Sequence, residues 1–147
     1  MTTVKMDLRD VLYISYSVPS TRIRSLVPSS LHLDSIGDMV SVSLVAMQCR
    51  RVHLSAFRWP SYNYDQLNLR TYVIDPQTGK SAVYFFKSGV SSRFIPVATR
   101  ILGIPWQRIS FALRIEGSGI NDIDKYRAYG YWSGDIDIEM QTLPDIK

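Results

Sequence analysis

Hydrophobic and polar positions alternate most regularly over residues 67–88. Leu67, Leu69, Thr71 and Val73 fall on one side of an extended chain, with Asn68, Arg70 and Tyr72 on the other. Pro76 and Gly79 interrupt the alternation, because proline removes a ladder donor and glycine supplies the positive φ of a tight turn. A second strand begins at Lys80 or Ser81, so the stretch predicts a β-hairpin with one face given to core and the other to water or chemistry.

The same pattern organises the rest of the chain. Residues 10–18 are β-branched and aromatic and predict a first strand, stopped by Pro19. Ser20 is placed to cap a short helix over Thr21–Leu26, which Pro28 closes. Leu31–Asp34 predicts a brief strand, Gly37 and Asp38 a turn, and Met39–Cys49 a long strand with Val40, Val42, Leu44 and Ala46 on one face; the opposite face carries Ser41, Ser43, Val45 and Met47, so both faces are expected to be partly covered. Residues 50–66, with Arg50, Arg51, Arg58, Trp59 and Pro60, are too irregular for a strand and read as a loop on the rim of a pocket. After the hairpin the period changes: Phe94, Val97, Ala98, Ile101 and Leu102 have helical spacing, Ser91 or Ser92 can cap, Pro96 sits in the first turn and Gly103 ends it. Trp106–Ile115 alternates again, Gly117, Ser118 and Gly119 break the run, and Tyr126–Trp132 and Asp135–Met140 form a closing hairpin with Ile136, Ile138 and Met140 on one face.

Many strands with one short and one longer helix predict a mainly β (α+β) fold. The expected form is a single domain over residues 1–147, an antiparallel β-barrel or strongly curved sheet with a pocket inside. A length of 147 residues suffices for one such core. An apolar fraction of 46% without any run near the ~20 residues of a membrane span excludes a spanning helix and predicts no membrane partner. The N-terminal residues carry acidic groups and do not form a signal peptide, and the lone Cys49 fits a reducing cytoplasm.

Charge adds an asymmetry. Residues 1–114 hold 14 Lys or Arg against 6 Asp, whereas residues 115–147 hold 3 against 7 acidic groups. Of the basic residues 12 are Arg, which favours planar pairing with carboxylates or phosphates. They are scattered, with Arg50 and Arg51 adjacent and no basic run, so charges that solvate strands and pair with the acidic end are favoured over nucleic-acid binding.

The chain resembles a known family in Val18 and Pro19, in the short helix ending at Val27 and Pro28, in Leu31–Asp34 and Val42–Val45, and above all in Asn68–Val73 within the hairpin. The likeness continues through Val83–Phe86 and Arg93 to Leu102–Pro105. These residues are similar to the YqjF-like uncharacterised conserved family, whose fold belongs to the acetoacetate decarboxylase-like superfamily. The resemblance implies a β-barrel with a central cavity and carries no established activity with it. Enzymes of that superfamily use paired lysines after a Gly-x-Pro turn, one lowering the pKa of the other for Schiff-base chemistry. Here Trp106 and Gln107 follow Gly103, Ile104 and Pro105, so the pair is missing from that register. The likeness to the family ends early, which leaves a barrel that is short or completed by a second copy, and a homo-oligomer is expected.

Arg70 is permanently charged, so inside a barrel it needs an internal partner, such as Asp65 or Glu116, or an anionic ligand. Asn68 and Tyr72 share its face and can orient a small acid, and Tyr84 and Trp106 are candidate walls of an apolar pocket. Lys87 ends an aromatic strand and is reactive only if buried. His32 and His53 lie 21 residues apart without a metal-binding spacing, so neither metal nor cofactor is expected. The chain therefore reads as a binding protein for a small molecule, read as a small organic acid, of unassigned activity. The alternative is a non-catalytic structural or protein-interaction module with a filled barrel. A cavity of ~300 Å³ or more with Arg70 on its wall would favour the first.

Overall fold

One very long strand opens the fold, and the computed structural model describes residues 3–101, 103, 105–116 and 125–141 of the chain. Strand β1 spans Val4–Pro19 and begins well before residue 10. Helix α1, Ser20–Ile23, passes into a 3-10 turn over Arg24–Leu26. The expected Ser20 cap is not made: Pro19 holds the cap position, and the Ser20 N–H donates to the Asp38 carbonyl at 2.8 Å. Arg24 instead fastens the segment, donating to the carbonyls of Leu31, Val27 and Pro28.

Strands β2 (His32–Leu33) and β3 (Ser35–Ile36) precede β4, Met39–Leu54. Gly37, at φ 64°, and Asp38 make the two-residue turn between β3 and β4, with Ile36 opposite Met39 as the sequence pattern indicates. Strand β5 runs from Phe57 to Ile74, so the expected loop over 50–66 is strand on both sides of a turn. The alternation fails there for a local reason. Arg51 has φ 50°, and its N–H is answered by the side-chain oxygen of Asn63 at 2.9 Å. An irregular residue of this kind shifts the period without ending the pairing.

The hairpin over 67–88 is present. Residues 75–80 form its turn, with Gly79 at φ 65° and the Asp75 carboxylate accepting from the Gln77 N–H and the Thr78 hydroxyl, and β6 follows over Ser81–Val90. Helix α2 covers Ile95–Ile101; Ser92 Oγ accepts from the N–H groups of Phe94 and Ile95, and Gly103, at φ 71°, closes it. Of the apolar positions expected on one face, Phe94 and Val97 are 67% and 68% exposed, while the side chains of Ala98, Ile101 and Leu102 lie outside the described residues; Ile95 is buried.

Strands β7 (Gln107–Arg108), β8 (Ser110–Glu116), β9 (Lys125–Tyr131) and β10 (Asp135–Gln141) complete the chain. The expected break at Gly117, Ser118 and Gly119 lies outside the described residues. One sheet has the path β1-β4-β5-β6-β7 with β2 on β5 and β3 on β4; the other is β10-β9-β8. The first sheet is mixed and not wholly antiparallel, because β7 runs parallel to β6, Gly89 facing Gln107, whereas both pairings of the second are antiparallel. No pairing among the described residues closes either sheet into a barrel.

Packing divides the chain into two compact units. The first takes Met1–Leu12, Ala46–Gln66 and Gly89–Lys147, and the second Tyr13–Val45 and Leu67–Ser88. In the first, Cys49, Val52, Tyr64, Val90 and Ile95 form a buried cluster with Met47 and Trp106 against it. There β8 and β9 approach closely: a Cβ at Gly130 would stand 2.0 Å from the Ser110 carbonyl oxygen. In the second, Val40, Val45, Leu67, Thr71 and Val73 are buried, and Ser43 with them. Ser43 and Val45 lie on the face of β4 opposite Val40, which fits cover on both sides of this strand.

Candidate functional site

In the second unit, neighbouring strands β1, β4 and β5 converge polar side chains. Asn68, Arg70 and Tyr72 alternate along β5; Asn68 is 2% exposed, and the other two are half-buried. Ser43 stands on β4, and Tyr13 and Ser15 alternate along β1. The Ser43 hydroxyl is the hub, 2.8 Å from Ser15 Oγ and 3.3 Å from the Tyr72 hydroxyl. Thr71, on the other side of β5, ties the strands by donating to the Ser41 carbonyl at 2.8 Å.

The Arg70 guanidinium carbon lies 5.0 Å from the centre of the Tyr13 ring and 5.9 Å from that of Tyr72. Both rings attract the cation through their faces. They offer no lone pair to Arg70 Nε, which is buried without a hydrogen-bond partner among the described residues. Burying a charged donor unanswered is costly, and folded proteins seldom tolerate it. Burial pushes the Tyr13 phenol up, but hydrogen bonds with Ser43, Arg70 and Ser15 and the Arg70 charge outweigh it, so its pKa falls below the ordinary tyrosine value. Tyr13, Ser15 and Ser43 are absent from the sequence-based site. Their only signal is a phenol and hydroxyls alternating through otherwise apolar strands.

The other expected members lie as follows. Tyr84 is half-buried and packs edge-on against Phe86 at 5.7 Å. Trp106 belongs to the first unit, where it is tilted against Tyr64 at 6.4 Å. Lys87 lies within β6, three residues before its end, and is exposed. Asp65, an expected partner of Arg70, is instead held by Arg50: Nη2 of Arg50 lies 2.9 Å from Oδ1, and the second oxygen accepts from the Leu113 N–H at 3.1 Å. The side chain of Glu116, the other expected partner, lies outside the described residues. Arg51 pairs with Asp7, which accounts for the second member of the basic pair.

Two open clefts occur in the first unit. One, of about 470 Å³, is lined by Ser91, Arg108, Ile109, Ser110 and Phe111. The other, of about 440 Å³, is lined by Arg50, Asp65, Gln48, Asp10 and residues 112–114. Arg70 lines neither, so the expected cavity with Arg70 on its wall is not found in them. Cys49 is buried beside Tyr64 and Gln66, and burial pushes its thiol up, as it does the Tyr64 phenol. Among the described residues no group of three His, Cys, Asp or Glu side chains is placed to hold a metal ion. No helix among them is long and apolar enough to cross a membrane.

Comparison with known proteins places this geometry in a family. The chain is 28% identical over 127 residues to the uncharacterized protein YqjF of Bacillus subtilis strain 168, covering 83% of this chain and 51% of that protein. It therefore spans about half the length of the curated relative it matches. Among solved structures it is similar to the enduracididine biosynthesis enzyme MppR complexed with pyruvate, with a TM-score of 0.64, 10% identity, and coverage of 89% of this chain and 54% of that one. It is also similar to an acetoacetate decarboxylase-like enzyme from Sphingomonas wittichii RW1, with a TM-score of 0.59, 11% identity, and coverage of 82% and 52%. At such identities the likeness establishes the fold, which is of the acetoacetate decarboxylase-like type and mainly β. The family model of uncharacterized conserved proteins designated DUF2071 matches residues 5–141, and the chain belongs to that family.

Proposed function

We propose that this protein binds a small carboxylic acid at the Arg70 face of its second unit. The observation that carries the reading is the buried, unanswered Nε of Arg70. A carboxylate is the natural complement, since its two oxygens match the planar fork of Nε and one terminal nitrogen, and charge-assisted bonds of that geometry are strong. Asn68 and Tyr72 flank Arg70 on the same strand face and orient the remainder of the ligand. The pyruvate complex of MppR supports the class of ligand, because a structurally similar fold there holds a small acid. The half-buried setting of Arg70 and Tyr72 suits a ligand of a few carbons.

A screen of short carboxylic and oxo acids by thermal shift, followed by calorimetry, tests this. Arg70→Met is expected to weaken binding about 100-fold, or ~2.8 kcal/mol, while the protein stays folded. Equal affinity in the variant would remove Arg70 from the site.

A second reading concerns association. Strand β1 is the edge of its sheet, and in the first unit it exposes Val4, Met6 and Leu8 by 52%, 41% and 55%. Three large apolar side chains in register on an open edge favour pairing with a second copy. Sedimentation velocity is expected to show a dimer that grows with concentration and is weakened by Leu8→Lys; a monomer throughout the micromolar range would refute it.

A further inference from the structure

We propose that the Tyr13 hydroxyl is the proton-transfer group of the Arg70 face, and that this face enolises an oxo acid held there. The inference rests on the carboxylate-binding reading above and adds an activity to it. Three features of the geometry carry it. The Tyr13 ring lies over the Arg70 guanidinium, 5.0 Å from centroid to carbon, so the phenol and the carboxylate anchor occupy one place. Ser43 bridges Ser15 at 2.8 Å and Tyr72 at 3.3 Å, so a chain of hydroxyls borders the same spot. Tyr13 itself is 44% exposed, which lets its hydroxyl exchange protons freely with water.

A ligand pinned by its carboxylate on Arg70 presents its carbonyl and the adjacent carbon to these hydroxyls. The Tyr13 phenolate takes a proton from the carbon next to the carbonyl. The electrons of that C–H bond form the C=C bond of the enolate, and the carbonyl π pair moves to oxygen, where the half-buried Tyr72 hydroxyl, itself 3.3 Å from Ser43 Oγ, donates a hydrogen bond. Return of a proton from Tyr13 to carbon restores the oxo acid. The cycle needs no oxidant or co-reactant, and its only net result is exchange of carbon-bound hydrogen with solvent. Arg70 serves twice, holding the carboxylate and stabilising the phenolate. The depressed phenol agrees with this role. The charged and titratable groups that face Tyr13 are Arg70 and, through Ser43, Tyr72 of β5; β4 and its own strand contribute the hydroxyls of Ser43 and Ser15.

Pyruvate in heavy water is the probe, with binding followed by calorimetry and loss of the methyl proton signal by NMR. Wild type is expected to bind pyruvate and to exchange its methyl protons faster than buffer, with a rate that rises with pH and levels off below pH 10. Tyr13→Phe keeps the ring over Arg70, so binding is expected to change by less than about threefold while exchange falls about 100-fold. Ser43→Ala is expected to move the inflection upward, towards the ordinary phenol value, which a merely structural role would not do. Binding without exchange above buffer, a Tyr13→Phe variant that exchanges like wild type, or a flat pH profile would each overturn this proposal and leave the binding reading standing. Failure of wild type to bind pyruvate or any other short oxo acid would overturn both.

Discussion

Arg50 and Arg70 stand on adjacent strands of sequence-similar character, yet their surroundings differ completely. In the first unit Arg50 donates to the carbonyls of Cys49 and Tyr64 at 3.1 and 3.0 Å and to Asp65 at 2.9 Å. Its partner Asp65 is answered on both oxygens, by Arg50 and by the Leu113 N–H. In the second unit Arg70 has two aromatic rings and an Nε that nothing answers among the described residues. The first arginine is part of the frame, tying β4 to β5 and, through Asp65, β5 to β8. The second holds its charge against Tyr13 and Tyr72 with one donor left over, which is the feature the proposed binding role uses. Burial alone does not distinguish them; the count of satisfied donors does.

Stability is the readout that separates the two roles most widely. Arg50→Met strips Asp65 of its cation and leaves two carbonyls short of a donor, a loss expected to cost about 2–3 kcal/mol in urea unfolding. That range is below the cost of breaking a fully buried pair, because the two side chains keep 26% and 15% exposure. Arg70→Met forfeits two cation–π contacts but also removes an unanswered buried N–H, so these terms offset and the change is expected within about 1 kcal/mol. The comparison breaks if the order reverses. An unfolded Arg70→Met beside a stable Arg50→Met would make Arg70 a structural residue and shift attention to the cleft bordered by Arg50.

How far the sequence reveals these roles follows from the range over which each is encoded. The hairpin over 67–88 is legible because period-two alternation and the Pro76 to Gly79 turn are local signals, and the capped helix before Gly103 is legible for the same reason. Residues 50–66 are not, because the positive φ of Arg51 and the substitution of the Asn63 side chain for a backbone acceptor disturb the period inside a continuous strand. Arg70, Asn68 and Tyr72 are found by alternation along one strand. Tyr13 and Ser43 join them only through the strand order β1-β4-β5, which no local pattern encodes. The Asp65 partnership fails for a similar reason: 15 residues separate it from Arg50 and only 5 from Arg70, and register decides which arginine it meets.

The smallest expected effect concerns Lys87, and it sharpens the comparison by adding another cation of the second unit. Schiff-base chemistry needs an amine enclosed in an apolar site, commonly beside a second cation, so that the neutral form can attack a carbonyl. The Gly-x-Pro register that the superfamily resemblance assigns to paired lysines is filled here by Trp106 and Gln107, an indole packed on Tyr64 and an amide bonded to Trp132. Lys87 is the amine that follows the aromatic residues of β6, and it is exposed rather than enclosed. Incubation with acetoacetate and borohydride, followed by intact-mass analysis, is therefore expected to leave Lys87 unmodified, and the acetoacetate signal is expected to decay no faster than in buffer. Enolisation at Arg70 and Tyr13 would still proceed, because that route forms no covalent bond to the protein. A stoichiometric borohydride-trapped adduct on Lys87 would replace the noncovalent mechanism with an amine nucleophile relocated to β6, and would make Arg70 its neighbour rather than the centre of the site.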